Sequence, residues 1–143
     1  MTTWTQPTEA ERFALLRDAK TIAIVGASPN PERSSNEIAR YLKARASYEL
    51  YYVNPTVEEV LGEKAYDSLA DLPVVPDIVD VFRRSSQFPA VADEAISVGA
   101  KAVWGQLGVA DQDAAQKATD AGLTVVMDAC IAVEHSKYRS ELG

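Results

Sequence analysis

The chain has one cysteine and one histidine among its 143 residues, and those two scarcities exclude a good deal. A single thiol cannot close an internal disulfide, and Cys130 with His135 is too small a set for a histidine–cysteine metal cluster. No apolar run reaches the roughly 20 residues that a membrane-spanning helix needs. The opening residues, Met1 to Pro7, lack the basic and apolar regions of a secretion signal, so a cytoplasmic protein is the expectation. Basic stripes are missing too. Lys and Arg number 14 against 21 Asp and Glu, and the resulting net charge of −7 repels nucleic acid at long range. An anionic small ligand would be repelled as well, unless basic side chains and backbone amides gather locally. There are no internal repeats, low-complexity segments or linkers, and the length suits one domain over 1–143.

Against these absences stands one informative stretch. Thr21-Ile22-Ala23-Ile24-Val25 is an apolar run of strand length that stops at Gly26, and a short polar loop then leads into a helical pattern. Ser34-Ser35-Asn36-Glu37 reads as a capping box, with Ser34 as the cap. A strand, a tight turn and a helix start are the parts of a phosphate site, because the helix end offers unpaired N–H groups and a positive dipole. Gly26 lets the backbone turn, and Arg33 adds a guanidinium suited to bidentate phosphate contact. The same residues also fit a purely structural turn. Only one glycine stands where a dinucleotide fingerprint has three, and both readings are open at this level.

The remaining segments alternate strand and helix. A helix over 8–18, capped by Thr8 with Glu11 three residues on, precedes the first strand, and Trp4 ahead of it reads as an anchor. A helix over 35–46 leads to a second strand, Glu49 to Val53, which Asn54-Pro55 closes. The stretch from Glu58 to Asp77 reads as an irregular connection over the sheet edge. Ile78 to Phe82 forms strand three, followed by Arg83-Arg84-Ser85-Ser86, which fits an anion contact with a second helix cap or a solvated arginine pair. Phe88, Val91, Ala92, Ala95, Ile96 and Gly99 mark a helix. Ala102-Val103-Trp104 begins strand four and Gly105-Gln106-Leu107-Gly108 is its loop. Asp111 caps the next helix, Leu123 to Met127 is strand five, and Asp128-Ala129-Cys130 leads to a polar helix or tail over 132–142. His135, in that tail, reads as an exposed or capping side chain.

The pattern predicts an α/β fold: a Rossmann-like, doubly wound five-stranded parallel sheet in the order 3-2-1-4-5 with helices on both faces. Strands one and four are then neighbours, and every turn noted above falls on the carboxyl rim of the sheet.

Five of those turns together resemble a known family. Gly26-Ala27-Ser28 with Pro31, Arg33 and Ser35, then Val53-Asn54-Pro55, Asp80-Val81-Phe82-Arg83, Gln106-Leu107-Gly108, and Met127-Asp128 with Cys130, look like the stand-alone CoA-binding domain proteins. These are similar in turn to the nucleotide-binding domain of the succinyl-CoA synthetase alpha subunit, and the resemblance runs from about Lys20 to His135. It implies a Rossmann-like fold that binds coenzyme A or an acyl-CoA. The pyrophosphate would lie over Gly26, Ala27, Ser28 and the start of the Ser34 helix, with Arg33 beside it. Adenosine would rest near Asn54-Pro55 and Phe82-Arg83, next to Arg84, and the pantetheine arm would run toward Gln106, Leu107, Gly108 and Cys130. Ser34 replaces a frequent proline, Gly105 a larger apolar residue, and Ala129 a frequent arginine beside the cysteine, so the resemblance does not imply an activated thiol. Cys130 is then either a partner for the ligand's own thiol in a mixed disulfide or a small filler.

No histidine accompanies any rim motif, so the expectation is a binding protein without its own catalytic apparatus, with neither nucleic acid nor membrane as partner. Two other functions compete with it. A nicotinamide-dependent oxidoreductase is opposed by the missing glycines and by Asn54 where such a site carries an acid. A regulatory interaction domain that keeps the fold and has lost the ligand is the other.

Overall fold

Alternate residues of a strand face opposite sides, so a strand that is apolar at every position must be covered on both. A computed structural model of the chain describes residues 4–142 and shows that arrangement. The first three residues and Gly143, at the ends of the stretches 1–19 and 132–143 expected to form terminal helices or tails, lie outside the described residues. The elements follow in the order α1 (Glu9–Asp18), β1 (Thr21–Val25), α2 (Ser34–Arg45), β2 (Glu49–Val53), β3 (Glu59–Val60), β4 (Glu63–Tyr66), β5 (Ile78–Val81), α3 (Phe88–Val98), β6 (Ala102–Gly105), α4 (Gln112–Asp120), β7 (Thr124–Val126), α5 (Ile131–Lys137) and α6 (Arg139–Leu142).

Each face of the sheet has its own core. Ala23, Val25, Val79, Val81, Val103 and Val125 pack with Phe88, Ala92 and Ala95 of α3 and Ala115 and Ala118 of α4. The alternating set, Ile22, Ile24, Ile78, Trp104 and Val126, packs with Leu16 of α1, Ala39 and Leu42 of α2 and Ile131 of α5. Trp104 is fully buried, and its indole donates to the Ala129 carbonyl at 2.9 Å. Trp4 anchors the N-terminal arm, donating from its indole to the Val125 carbonyl at 3.1 Å.

The Rossmann-like α/β class is the expected one, and the strand count is not. Among the described residues there are seven strands in the order β3-β4-β2-β1-β5-β6-β7, all parallel except β3, which runs antiparallel to β4. The two extra strands form a hairpin inside the stretch expected to be irregular. Its two-residue connection, Leu61-Gly62, has φ of 52° and 78°, the left-handed pair that a tight hairpin turn requires. Asn-Gly or Asp-Gly would signal such a turn, and a leucine in that conformation does not. The expected order 3-2-1-4-5 set the Ile78 strand outside strand two; that strand instead pairs with β1, and β4 takes the outer place beside β2. The neighbour of β1 is consequently β5, not the Trp104 strand. β1 feeds a helix on one face and β5 a helix on the other, which opens a crevice between their carboxyl ends.

The expected caps are present at two helices. Thr8 and Glu11 exchange bonds of 3.0 and 3.2 Å at the start of α1, and Asp111 accepts from the Ala114 amide at 2.9 Å at the start of α4. The box expected at Ser34 does not form. Arg33 is the cap residue and Ser34 the first helical one, because a turn from Asn30 to Arg33, closed by an amide–carbonyl bond of 3.0 Å, starts the helix one residue early.

Candidate functional site

A cavity of about 520 Å³ occupies the crevice between β1 and β5. It is lined by Gly26, Ser28, Arg33, Ser34 and Ser35 from the connection after β1, Asn54 after β2, and Phe82, Arg83, Arg84 and Gln87 after β5. Nine of the sequence-derived candidates thus meet on one surface. Gly26 has φ of +90°, and a Cβ built on it would stand 3.3 Å from the Phe82 backbone, so two loops touch there through a residue without a side chain.

The polar character of this cavity is cationic and donor-rich. Three guanidiniums line it, and no carboxylate is among the lining residues. Among the described residues, no acceptor engages the amides of Ser28, Ser34 or Ser35. The Asn36 and Glu37 amides, by contrast, both reach the Arg33 carbonyl at 3.1 Å. The free amides of Ser34 and Ser35 open the twelve-residue α2, whose dipole adds positive potential.

The other candidates lie outside the lining. Ala27 is buried beneath the loop and Pro31 is exposed on it. Pro55 faces a separate groove with Thr56 and Lys64. Gln106, expected to meet ligand, is buried and spends its side-chain oxygen on the Ile131 amide at 3.1 Å, a contact that starts α5. Leu107 is exposed at the tip of its loop. The Gly108 amide donates to Asp128 at 2.7 Å, and its carbonyl accepts from the Ser85 hydroxyl at 3.0 Å. Ser85 also accepts from the Ala110 amide at 3.0 Å. It therefore ties the loop after β6 to the loop after β5 instead of capping a helix, and only Arg84 precedes a short 3-10 turn there. Cys130 is half-buried at the cap position of α5.

Three features escaped the sequence reading. Gln87 lines the cavity, and nothing in its local pattern marks it. Asn36 is buried in the first turn of α2, where a polar residue in line with Ala39 and Leu42 was the available signal. His135, expected to be exposed, is buried with its Nδ1 3.0 Å from the Tyr41 hydroxyl. Below the cavity, Asp80 of β5 is fully buried between Ile24 of β1 and Trp104 of β6. Neither of its carboxyl oxygens has a partner among the described residues, and burial pushes its pKa well above the carboxylate range.

Residues 20–136 match a family described as "CoA binding domain". The chain belongs to that CoA-binding family. It is 42% identical over 130 residues to the uncharacterized protein YneT of Bacillus subtilis, an alignment that spans 91% of this chain and 96% of YneT. A solved structure of a hypothetical protein from Pyrococcus horikoshii superposes with a TM-score of 0.88 at 38% identity, over 96% of this chain and 98% of that one. A shorter match, 39% over 57 residues, joins this CoA-binding domain to the alpha subunit of an ADP-forming acetate–CoA ligase of Pyrococcus furiosus. That match spans 40% of this chain and 12% of the ligase subunit. Among the described residues no helix is long and apolar enough to cross a membrane, and no cluster of three metal-ligating side chains occurs.

Proposed function

We propose that the cavity binds coenzyme A or an acyl-CoA, with the pyrophosphate over Ser28 and the first turn of α2, and that the domain carries no catalytic step of its own. The observation that carries this reading is the convergence of the unpaired Ser28, Ser34 and Ser35 amides with Arg33, Arg83 and Arg84 on one cavity. Backbone donors at a helix start and guanidinium forks are the two standard means of holding a phosphate, and here both face the same space. Membership of the CoA-binding family supports coenzyme A as the carrier of that anion. The adenosine rests beside Asn54 and Phe82, and the pantetheine arm leaves toward Gly108 and Cys130.

The nicotinamide alternative loses support at Asn54. That residue stands where a nicotinamide site takes the ribose hydroxyls with an acid. Its side-chain nitrogen donates to the Ala27 carbonyl at 2.8 Å, and its oxygen accepts from the Thr56 amide and hydroxyl at 2.9 and 2.7 Å. Both polar atoms are occupied within the protein. The ligase match spans too small a part of that subunit to bring ligase chemistry with it.

Isothermal titration with CoA, acetyl-CoA, NAD and NADP tests the reading. Heat with the first two and none with the nucleotides supports it; binding of NAD without binding of CoA overturns it.

A further inference from the structure

A loop that presents amides to an anion must turn its carbonyls elsewhere, because a carbonyl oxygen repels the charge that the adjacent N–H attracts. In the connection after β1 two asparagines do this from outside the loop. Asn54 donates to the Ala27 carbonyl at 2.8 Å, and Asn36 donates to the Ser28 carbonyl at 2.9 Å. The C=O of one residue and the N–H of the next point in opposite directions across a trans peptide, and no peptide described here is cis. Fixing the Ala27 carbonyl on Asn54 therefore aims the Ser28 amide away from Asn54. The next peptide precedes Pro29, which has no N–H to offer, so there the need is only to remove the Ser28 carbonyl, and Asn36 meets it.

Which end of each amide faces the loop is decided by donors behind it. Arg40 donates from Nε to the Asn36 oxygen at 2.8 Å while its terminal nitrogen reaches the Pro31 carbonyl at 3.2 Å. Thr56 donates twice to the Asn54 oxygen. With each oxygen engaged, each nitrogen faces a loop carbonyl. Asn36 is 2% exposed and neither it nor Arg40 is among the cavity-lining residues, so neither is placed to touch a ligand there.

We infer that Asn36 and Asn54 are paired positioning residues that turn the carbonyls of Ala27 and Ser28 out of the anion cradle, and that Arg40 acts on the Ser28 carbonyl only through Asn36, its other bond going to Pro31, which does not line the cavity. The inference rests on the reading of this cavity as an anion site. It assigns function to a side chain, Arg40, whose charge would otherwise be taken as one more surface cation.

The test joins NMR with calorimetry on the full chain. Inorganic pyrophosphate titrated into the wild type shifts the amides of Ser28, Ser34 and Ser35. In Asn54→Leu the Ser28 shift is lost while those of Ser34 and Ser35 persist; in Asn36→Leu the Ser28 carbonyl is released toward the cradle and CoA affinity falls about tenfold, the worth of one orienting hydrogen bond. Arg40→Met shows part of the same loss, Arg40→Lys loses as much as Arg40→Met, and adding Arg40→Met to Asn36→Leu costs nothing more. Melting curves without ligand confirm that each variant is folded at the titration temperature, and Arg40→Met, altered at an exposed site, carries the test if Asn36→Leu is not. Wild-type affinity in Asn36→Leu, full retention in Arg40→Lys, or additive losses in the double variant overturn the inference. Pyrophosphate shifts in the wild type without CoA binding would defeat the coenzyme A reading alone. Absence of those shifts defeats both.

Discussion

Asp80 has nowhere to place a charge, since its carboxyl lies fully buried between Ile24 and Trp104 with both oxygens unpaired among the described residues. Burial alone raises its pKa, so the folded chain holds a proton that the unfolded chain releases above about pH 3.9. The native state then binds more protons than the unfolded one, and stability falls as pH rises from there toward the folded pKa. Asp80→Asn removes that proton without much change in shape. The melting temperature of the variant should gain on the wild type as pH rises above about 4, as read by calorimetry; parallel pH curves would show that Asp80 ionises in place. Arg33 poses the opposite residue-scale question, because its side chain is exposed, lines the cavity and makes no cap bond to α2, so the proposed anion is what it would serve. Arg33→Ala should weaken CoA by about 1.5–3 kcal/mol, the range for hydrogen bonds to charged groups, with little change in melting temperature. Unchanged affinity in a titration would return Arg33 to the solvated surface. Gly105 is constrained differently: a Cβ there would stand 2.6 Å from the Val109 carbonyl. Gly105→Ala should therefore cost about 1–3 kcal/mol of stability in denaturant unfolding, as overpacking does, and no loss would mean that the loop yields freely.

Helix α5 shows what a short element needs in order to dock. Its seven residues are marginal alone, and it is held by Gln106 at its start, by Glu134 paired with Arg12 of α1 at 2.6 Å, and by His135 against Tyr41 of α2. Burial, with Arg139 nearby, lowers the pKa of His135. The unfolded chain therefore takes up a proton first as pH falls through about 6.5, and stability drops below that point until the folded imidazole also charges. His135→Gln should flatten the unfolding free energy between pH 7 and pH 5, and an unaltered slope would show that another group carries it. The same helix marks how far the sequence could be read. Elements written in a continuous local code were legible: β1 ends at Gly26, Thr8 with Glu11 and Asp111 announce their helices, and the cavity loops follow from strands that stop. His135 was not legible, because its burial depends on Tyr41, distant in sequence. The β3–β4 hairpin was hidden by Leu61 in a left-handed conformation that only the surrounding structure selects. Ser34 lost its capping role to a turn set by Asn30, whose own side chain accepts from the Glu32 amide at 3.0 Å.

At the scale of the molecule, the sheet's two edges and its charge set the terms on which anything approaches. Beyond β7, the backbone of Met127 exchanges bonds with the Gln6 side chain at 2.7 and 3.1 Å, and Trp4 occupies Val125, so side chains close a row of groups that another strand could otherwise use. β3 and β4 end the opposite side. Attention then falls on the crevice, where three guanidiniums line the cavity, while a net charge of −7 repels from a distance the anion proposed to enter it. The two effects act over different ranges. Contacts within the cavity operate at a few ångströms, whereas the field of the whole chain extends over a screening length of about 30 Å at 0.01 M salt and about 8 Å at 0.15 M. Raising salt over that interval should therefore remove repulsion at encounter before it erodes the contacts. The association rate constant for CoA, followed by stopped flow, should hold or rise by a small factor, about two to five, while dissociation quickens only at higher salt. A steep fall in the association rate across the same interval would mean that the arginine cluster already governs approach from solution, and the acidic remainder of the surface would then have no part in selecting what enters the cavity.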